Sequence, residues 1–172
     1  MELRTSRLTL RPASRADLHT TFAYAGNTEN TRFMMFLPYA DLAETEEYLR
    51  ACEEEWQKAE PDFYEFAICL DGIHIGGVTL YMLEDRREGE LGWILHRDYW
   101  RHGYITEAAL AVMDFARRIG IKRLIACCDS ENTASYKTMV KLGMHLVKDD
   151  GIRQNRSMGE ELRRELTCAC LL

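Results

Sequence analysis

The sequence predicts an α/β protein built on a twisted, mixed, mostly antiparallel sheet with helices on both faces. Two stretches predict it. Residues 63–95 hold three short runs of strand character joined by tight turn signals, the pattern of an antiparallel meander. Residues 90–147 then alternate strand, helix, strand, helix, strand, an order that lays helices against a sheet.

Each element has its own local reason. Leu8-Thr9-Leu10-Arg11 alternates and stops at Pro12, so a first strand covers 8–11. Ser14 can cap a helix that starts at Arg15 with Asp17 in its first turn. Leu18, Phe22 and Ala25 follow at helical spacing, and Gly26-Asn27 ends that helix. A second helix is expected over 42–59. Leu42, Tyr48, Leu49, Cys52 and Trp56 are expected to form its apolar stripe, with Glu53-Glu54-Glu55 expected on the solvated side. Strands follow at 63–70, 75–83 and 90–95, separated by Asp71-Gly72 and by a charged turn over 84–89. Ile105, Ala109, Val112, Ala116 and Ile119 step by four and three along one helix face, and Gly120 stands where a helix-ending glycine belongs. A strand over 123–128, a helix over 134–142 capped by Asn132, and strands at 144–147 and 165–171 complete the chain. There is no repeat, low-complexity tract or linker, so residues 1–172 are expected to form a single domain.

Composition excludes several functions. Of the residues, 47% are apolar and 29% charged, which suits a chain that buries a core rather than a disordered one. No apolar run approaches the roughly 20 residues that cross a bilayer, and the first residues lack a signal-peptide core, so no membrane partner is expected. The net charge is -6 and no basic stripe is present, which argues against nucleic acid. Cys52, Cys69, Cys127, Cys128, Cys168 and Cys170 form no C-x-x-C motif, and no histidine stands beside a cysteine pair at zinc spacing. They read as reduced core thiols of a cytoplasmic protein, with no metal.

The chemistry concentrates between residues 90 and 108. There a strand ends in a polar loop, and Gly103 precedes a helix. Backbone N–H groups at a helix start, with the helix dipole behind them, favour an anion such as phosphate. Gly103 permits close approach, and Arg97, Arg101 and His102 add donors. The bland alternative is an ordinary loop with a steric glycine. Neither a P-loop nor a G-x-G-x-x-G fingerprint is present.

Tyr99-Trp100-Arg101-His102-Gly103-Tyr104-Ile105-Thr106-Glu107-Ala108 resembles the coenzyme A pyrophosphate loop of GNAT acetyltransferases, in the form found in the ribosomal-protein-alanine subgroup. Arg101 replaces that motif's first glycine and Ile105 its small residue. Asn132-Thr133-Ala134-Ser135, continuing to Lys141-Leu142-Gly143-Met144, resembles the family's Asn-x-x-Ser helix. The segments 5–12 and 159–166 resemble the subgroup's opening and closing segments, so the similarity runs the length of the chain. The resemblance implies the GNAT fold, with about seven strands splayed between the fourth (90–95) and the fifth (123–128). It implies acetyl-CoA as donor and an amine as acceptor, either a small molecule or a protein N-terminus such as a ribosomal-protein alanine. It leaves monomer and homodimer open.

It also implies roles for particular residues. Backbone groups of Ile94 and Leu95 would hold the pantetheine arm and polarise the acetyl carbonyl. The loop with Arg97, Arg101, His102, Gly103, Tyr104, Ile105 and Thr106 would hold the pyrophosphate, and Asn132 would touch the pantetheine. The tyrosine that many relatives use as general acid is Met139 here, so Ser135 takes that role by resemblance. Glu84 and Glu90 flank the strands of the cleft and are candidate bases, against the plainer reading of each as a surface carboxylate. A non-catalytic acyl-CoA sensor on the same fold is the alternative. With no metal-ligand cluster in the sequence and a thioester already activated, acetyl transfer is expected to survive EDTA. Loss of activity that a divalent ion restores would reveal a metal site.

Overall fold

The computed structural model describes residues 1–172 as one eight-stranded sheet flanked by four α-helices. In chain order the elements are β1 (Leu3–Arg4), β2 (Leu8–Pro12), α1 (Leu18–Ala25), α2 (Leu42–Gln57), β3 (Phe63–Leu70), β4 (Ile73–Met82) and β5 (Glu88–Leu95). They continue with α3 (Tyr104–Arg118), β6 (Arg123–Asp129), α4 (Thr133–Lys141), β7 (His145–Gln154) and β8 (Leu162–Leu171). The sheet order is β1-β2-β3-β4-β5-β6-β8-β7. Only β5 and β6 pair in parallel; every other neighbour is antiparallel.

Strand alternation sorts the side chains onto two faces. Leu8, Leu10, Phe66, Ile68, Val78, Leu80, Leu91 and Leu124 point to one face and pack against Ala108, Ala109, Val112, Phe115 and Ala116 of α3 and Met139 and Leu142 of α4. Burying this stripe removes α3 from water far more effectively than intrinsic propensity could hold it, because most helix stability in proteins comes from packing. The opposite face carries two smaller clusters: Leu49 and Cys52 of α2 against Ala13 and Ala67, and Tyr24 and Ala25 of α1 with Leu37. Helices therefore cover both faces, with α3 and α4 on one and α1 and α2 on the other.

Departures from the sequence expectation are local. The eighth strand is the two-residue β1, paired with Leu10 and Thr9, too short to show a period. The expected helix from Arg15 begins as a 3₁₀ turn over Arg15–Asp17 before α1. The strand expected at 144–147 runs ten residues as β7, although Lys148-Asp149-Asp150-Gly151 reads as a turn. It is an exposed edge strand, pairs only with β8, and accommodates its charges through irregularities between Leu146 and Gly151.

Candidate active site

Strands β5 and β6 pair over only three positions, Glu88 with Arg123, Gly89 with Leu124 and Glu90 with Ile125. Beyond Glu90 they diverge. Gly92, Trp93, Ile94, Ile125 and Cys127 lie in central strands yet remain partly exposed to solvent. This is the expected splay, one strand number later because β1 precedes the others. β5 keeps its full antiparallel pairing with β4, Gly77 opposite Ile94 and Gly76 opposite Leu95. The His96 N–H bonds the Ile75 carbonyl on that side, so alternation sends the N–H and C=O of Ile94 to β4 as well. Ile94 is thus not the residue whose backbone faces the cleft, and its side chain packs with Tyr24, Ala25 and Leu37. The cleft receives the backbone of Trp93 and Leu95 instead. Of these, the Leu95 carbonyl already accepts from the Trp100 indole at 2.8 Å and from the Asn30 amide at 3.1 Å. The Trp93 backbone was missed in the sequence, because a one-residue shift in register decides it.

The loop that follows is shaped by two left-handed residues. Gly103 caps α3 at φ +80°, and Arg101 sits at φ +66°. Arg101 therefore reproduces the turn of the glycine it replaces, at the steric cost of roughly 1–2 kcal/mol that a non-glycine residue bears there. The side chains of Asp41 and Asn132 cap α2 and α4, but α3 has no side-chain cap. The first intrahelical bond runs from Glu107 N–H to the Gly103 carbonyl, so the N–H groups of Tyr104, Ile105 and Thr106 are orphan donors aimed along the helix axis. That is the arrangement a diphosphate needs.

This helix start is held from behind. The Glu107 carboxylate accepts from Thr5 Oγ1, Ser6 Oγ, the Arg7 N–H and the Arg7 guanidinium. Partial burial works against its charge, but these donors outweigh it and keep the carboxyl below its ordinary range. Arg7 also donates to the His102 carbonyl at 3.1 Å and lies 4.6 Å from the centre of the Tyr104 ring, which stacks on His102. The side chains of Arg101 and His102 remain exposed beside the loop. Arg97 does not join them: its guanidinium pairs with Glu29, and its N–H bonds Asn30 at 2.9 Å.

On the far side of the splay, Asn132 caps α4 by accepting from the Ser135 N–H at 3.1 Å. The cap engages the backbone of Ser135 and leaves its hydroxyl available. Met139 is wholly buried in the main core, and Tyr136 packs against the same cluster. α3 and α4 start beside the splay on one face of the sheet. The other face of the splay bears α1 and α2. There the connection between α1 and α2 is tied to the β7–β8 turn: Arg153 donates to the Phe33 carbonyl at 3.0 Å, Arg156 N–H to Met34 at 3.1 Å and Ser157 Oγ to Arg32 at 2.9 Å.

The two candidate bases part company. Glu84 lies exposed in the β4–β5 turn, beyond the paired end of β5 and β6, so the fold carries it away from the cleft. Glu90 is the last paired residue and stands at the vertex of the splay. Burial, reinforced by the Glu165 charge, pushes its carboxyl up, while Arg153 and Cys127 act the other way.

These features place an uncapped helix start beside an opened sheet. Residues 7–145 match the family model described as Acetyltransferase (GNAT) domain, and the chain belongs to that family. It is 28% identical over 147 residues to the uncharacterized N-acetyltransferase YnaD of Bacillus subtilis, covering 84% of this chain and 82% of that protein. A GNAT acetyltransferase structure from Bacillus anthracis superposes with a TM-score of 0.84 at 23% identity, over 99% of this chain and 98% of that one. The ribosomal L7/L12 α-N-protein acetyltransferase RimL, solved with coenzyme A, gives 0.85 at 15% identity, over 100% of this chain and 98% of that one. The family's acetyl-CoA fits the uncapped start of α3 and the cleft-facing backbone of β5. No group of three or more His, Cys, Asp or Glu side chains is placed to hold a metal ion.

Gly103→Val is expected to weaken acetyl-CoA binding at least tenfold, about 1.4 kcal/mol, by calorimetry on folded protein. Unchanged affinity would remove the loop from the phosphate site. Arg101 gives a second check. Arg101→Gly should keep thermal stability, because glycine relieves the left-handed strain. Arg101→Val should lose at least 1 kcal/mol or so in urea unfolding, since a β-branched residue resists that conformation.

Proposed function

We propose that this acetyltransferase moves the acetyl group of acetyl-CoA to a primary amine, either a protein N-terminal alanine or a small amine. The observation that carries this reading is the splay of β5 and β6 beside the uncapped start of α3. A thioester held through the gap by α3 and α4 exposes its carbonyl to the α1/α2 face. The N–H groups of Trp93 and Leu95 are the donors for the carbonyl oxygen as negative charge develops on it. Glu90, at the vertex, takes a proton from the incoming ammonium so that the nitrogen lone pair can attack. Ser135, in the first turn of α4, gives its hydroxyl proton toward the leaving thiolate, and the helix start stabilises that charge. The similarity of fold to RimL and the match at the loop support a protein N-terminus as one acceptor class. Six free thiols, five of them buried, suit a reducing cytoplasm.

The test is thiol release from acetyl-CoA with a panel of alkylamines and of peptides beginning with alanine. Turnover with at least one amine is expected; release no faster than hydrolysis with all of them would overturn the reading. With that amine, Ser135→Ala is expected to lower kcat about 10²-fold and to leave acetyl-CoA affinity unchanged. A near-normal kcat with a lowered melting temperature would instead make Ser135 a helix-start residue only.

A further inference from the structure

Four acidic residues are buried in this protein: Asp17, Glu55, Glu65 and Asp129. Three have a cationic partner, Arg11 for Asp17, Lys58 for Glu55 and Arg163 for Asp129. Glu65 has none. Its carboxylate accepts from the Thr79 hydroxyl and from Tyr48. The groups facing it are Tyr24 from α1, Tyr39 from the α1–α2 connection, Tyr48 and Cys52 from α2, and Thr79 and Tyr81 from β4, none of them cationic. A carboxylate buried without a counter-charge is a cost that folding alone does not explain. The backbone nevertheless makes room for it: a Cβ on Gly77 would lie 2.2 Å from Glu65 Oε1.

The pairing registers give this carboxylate a direction. Glu65 on β3 stands opposite Thr79 on β4, and Thr79 stands opposite Gly92 on β5. All three share the α1/α2 face, and the row ends on the first residues of β5 beyond its pairing with β6. Gly92 has no side chain there. A Cβ on it would lie 3.5 Å from the Tyr81 ring and 4.0 Å from Thr79 Oγ1, so the space above Gly92 is bordered by that ring and that hydroxyl. Trp93, the neighbouring residue, carries the cleft-facing backbone.

We propose that Glu65, acting through the Thr79 hydroxyl, accepts a proton from the acceptor nitrogen on the α1/α2 face of the splay. The inference rests on the amine acetylation proposed above. An ammonium acceptor loses two protons for each N–C bond formed: one before attack, and one from the protonated nitrogen of the tetrahedral adduct. As the C–S bond breaks, the thiolate takes the Ser135 hydroxyl proton and Ser135 regains one from water. Of the two protons lost by nitrogen, one is thus balanced by the thiol and one is released. Glu90 receives the first proton at the vertex. The second passes from nitrogen to Thr79 Oγ1 while the Thr79 proton moves to Glu65 Oε2, and it later returns to water by the same row. No oxidant, metal or further reactant is required. Thr79 is the group that touches the acceptor; Glu65 is a positioning and proton-holding residue behind it.

Burial pushes the Glu65 carboxyl up to about 7, against the opposing bonds from Thr79 and Tyr48. The sign of the stability effect follows. Between its ordinary value of 4.5 and about 7 the folded state holds a proton that the unfolded state has lost, so stability falls as pH rises through that window. Above it the protein carries a buried, uncompensated charge, which Glu65→Gln would remove.

The experiment compares wild type, Glu65→Gln, Thr79→Val and Thr79→Ser at pH 5.5 to 9, using the fastest primary amine from the panel. Expected for Glu65→Gln is a melting temperature above wild type at pH 8, a kcat at least tenfold lower, loss of the rise in kcat through about pH 7, and little change in acetyl-CoA affinity. Thr79→Val should match it in kcat, and Thr79→Ser should restore most of the rate. A Glu65→Gln protein that melts below wild type at pH 8, or that keeps the wild-type pH profile, overturns the proposal and makes Glu65 a packing residue. Wild type inactive on every amine overturns the acetyl-transfer reading itself, and this inference with it.

Discussion

The divergence of β5 from β6 after three paired positions is the constraint on which the rest depends. Opening a sheet at its centre leaves backbone N–H and C=O groups without a ladder partner, and such groups are costly unless something else meets them. Here β5 stays rigid because β4 pairs with it along seven positions, and β6 stays rigid because β8 pairs with it along seven more. Each half of the sheet is complete on its outer side, so the gap can persist between two firm edges. The gap also assigns the two faces. α3 and α4 share the large core and start beside the opening, so their helix starts are positioned by the same packing that holds the fold together.

The phosphate-binding loop shows how distant parts of the chain serve one helix start. Glu107 lies in the first turn of α3, where a carboxylate favours the helix dipole. Unrestrained, it would also compete with an incoming diphosphate for the same N–H groups. Thr5, Ser6 and Arg7 draw the carboxylate backward and engage it, which leaves the Tyr104, Ile105 and Thr106 N–H groups free of it. Arg101 adds a contrast: a residue with poor local preference for its conformation is held there by the fold around it.

The α1/α2 face is built differently. It carries carboxylates of unequal character, Glu90 at the vertex and the buried Glu65 two strands away, with tyrosine rings around Glu65. The α1–α2 connection is fastened to the end of β7 and the β7–β8 turn by Arg153, Arg156 and Ser157, which joins segments about 120 residues apart in the chain.

The sequence by itself determined the strand and helix succession, the glycine-led start of α3, the Asn132 cap and the resemblance that names the family. All of these rest on local periodicity or on contiguous motifs. Glu65 left a signal too, as the lone charge in the otherwise apolar and aromatic run 63–70, but a strand pattern does not say what faces it. Tertiary structure decided what depends on register and on long-range pairing. It sent the backbone of Ile94 to β4 and that of Trp93 to the cleft, since one residue of shift exchanges every backbone group between neighbours. It left Glu84 on an exposed turn and Glu90 at the vertex, since the paired end of β5 and β6 lies between them. It joined Glu107 to Arg7, about a hundred residues apart in the chain. Contacts of that kind follow from how the sheet closes around the core, and no window of sequence contains both partners.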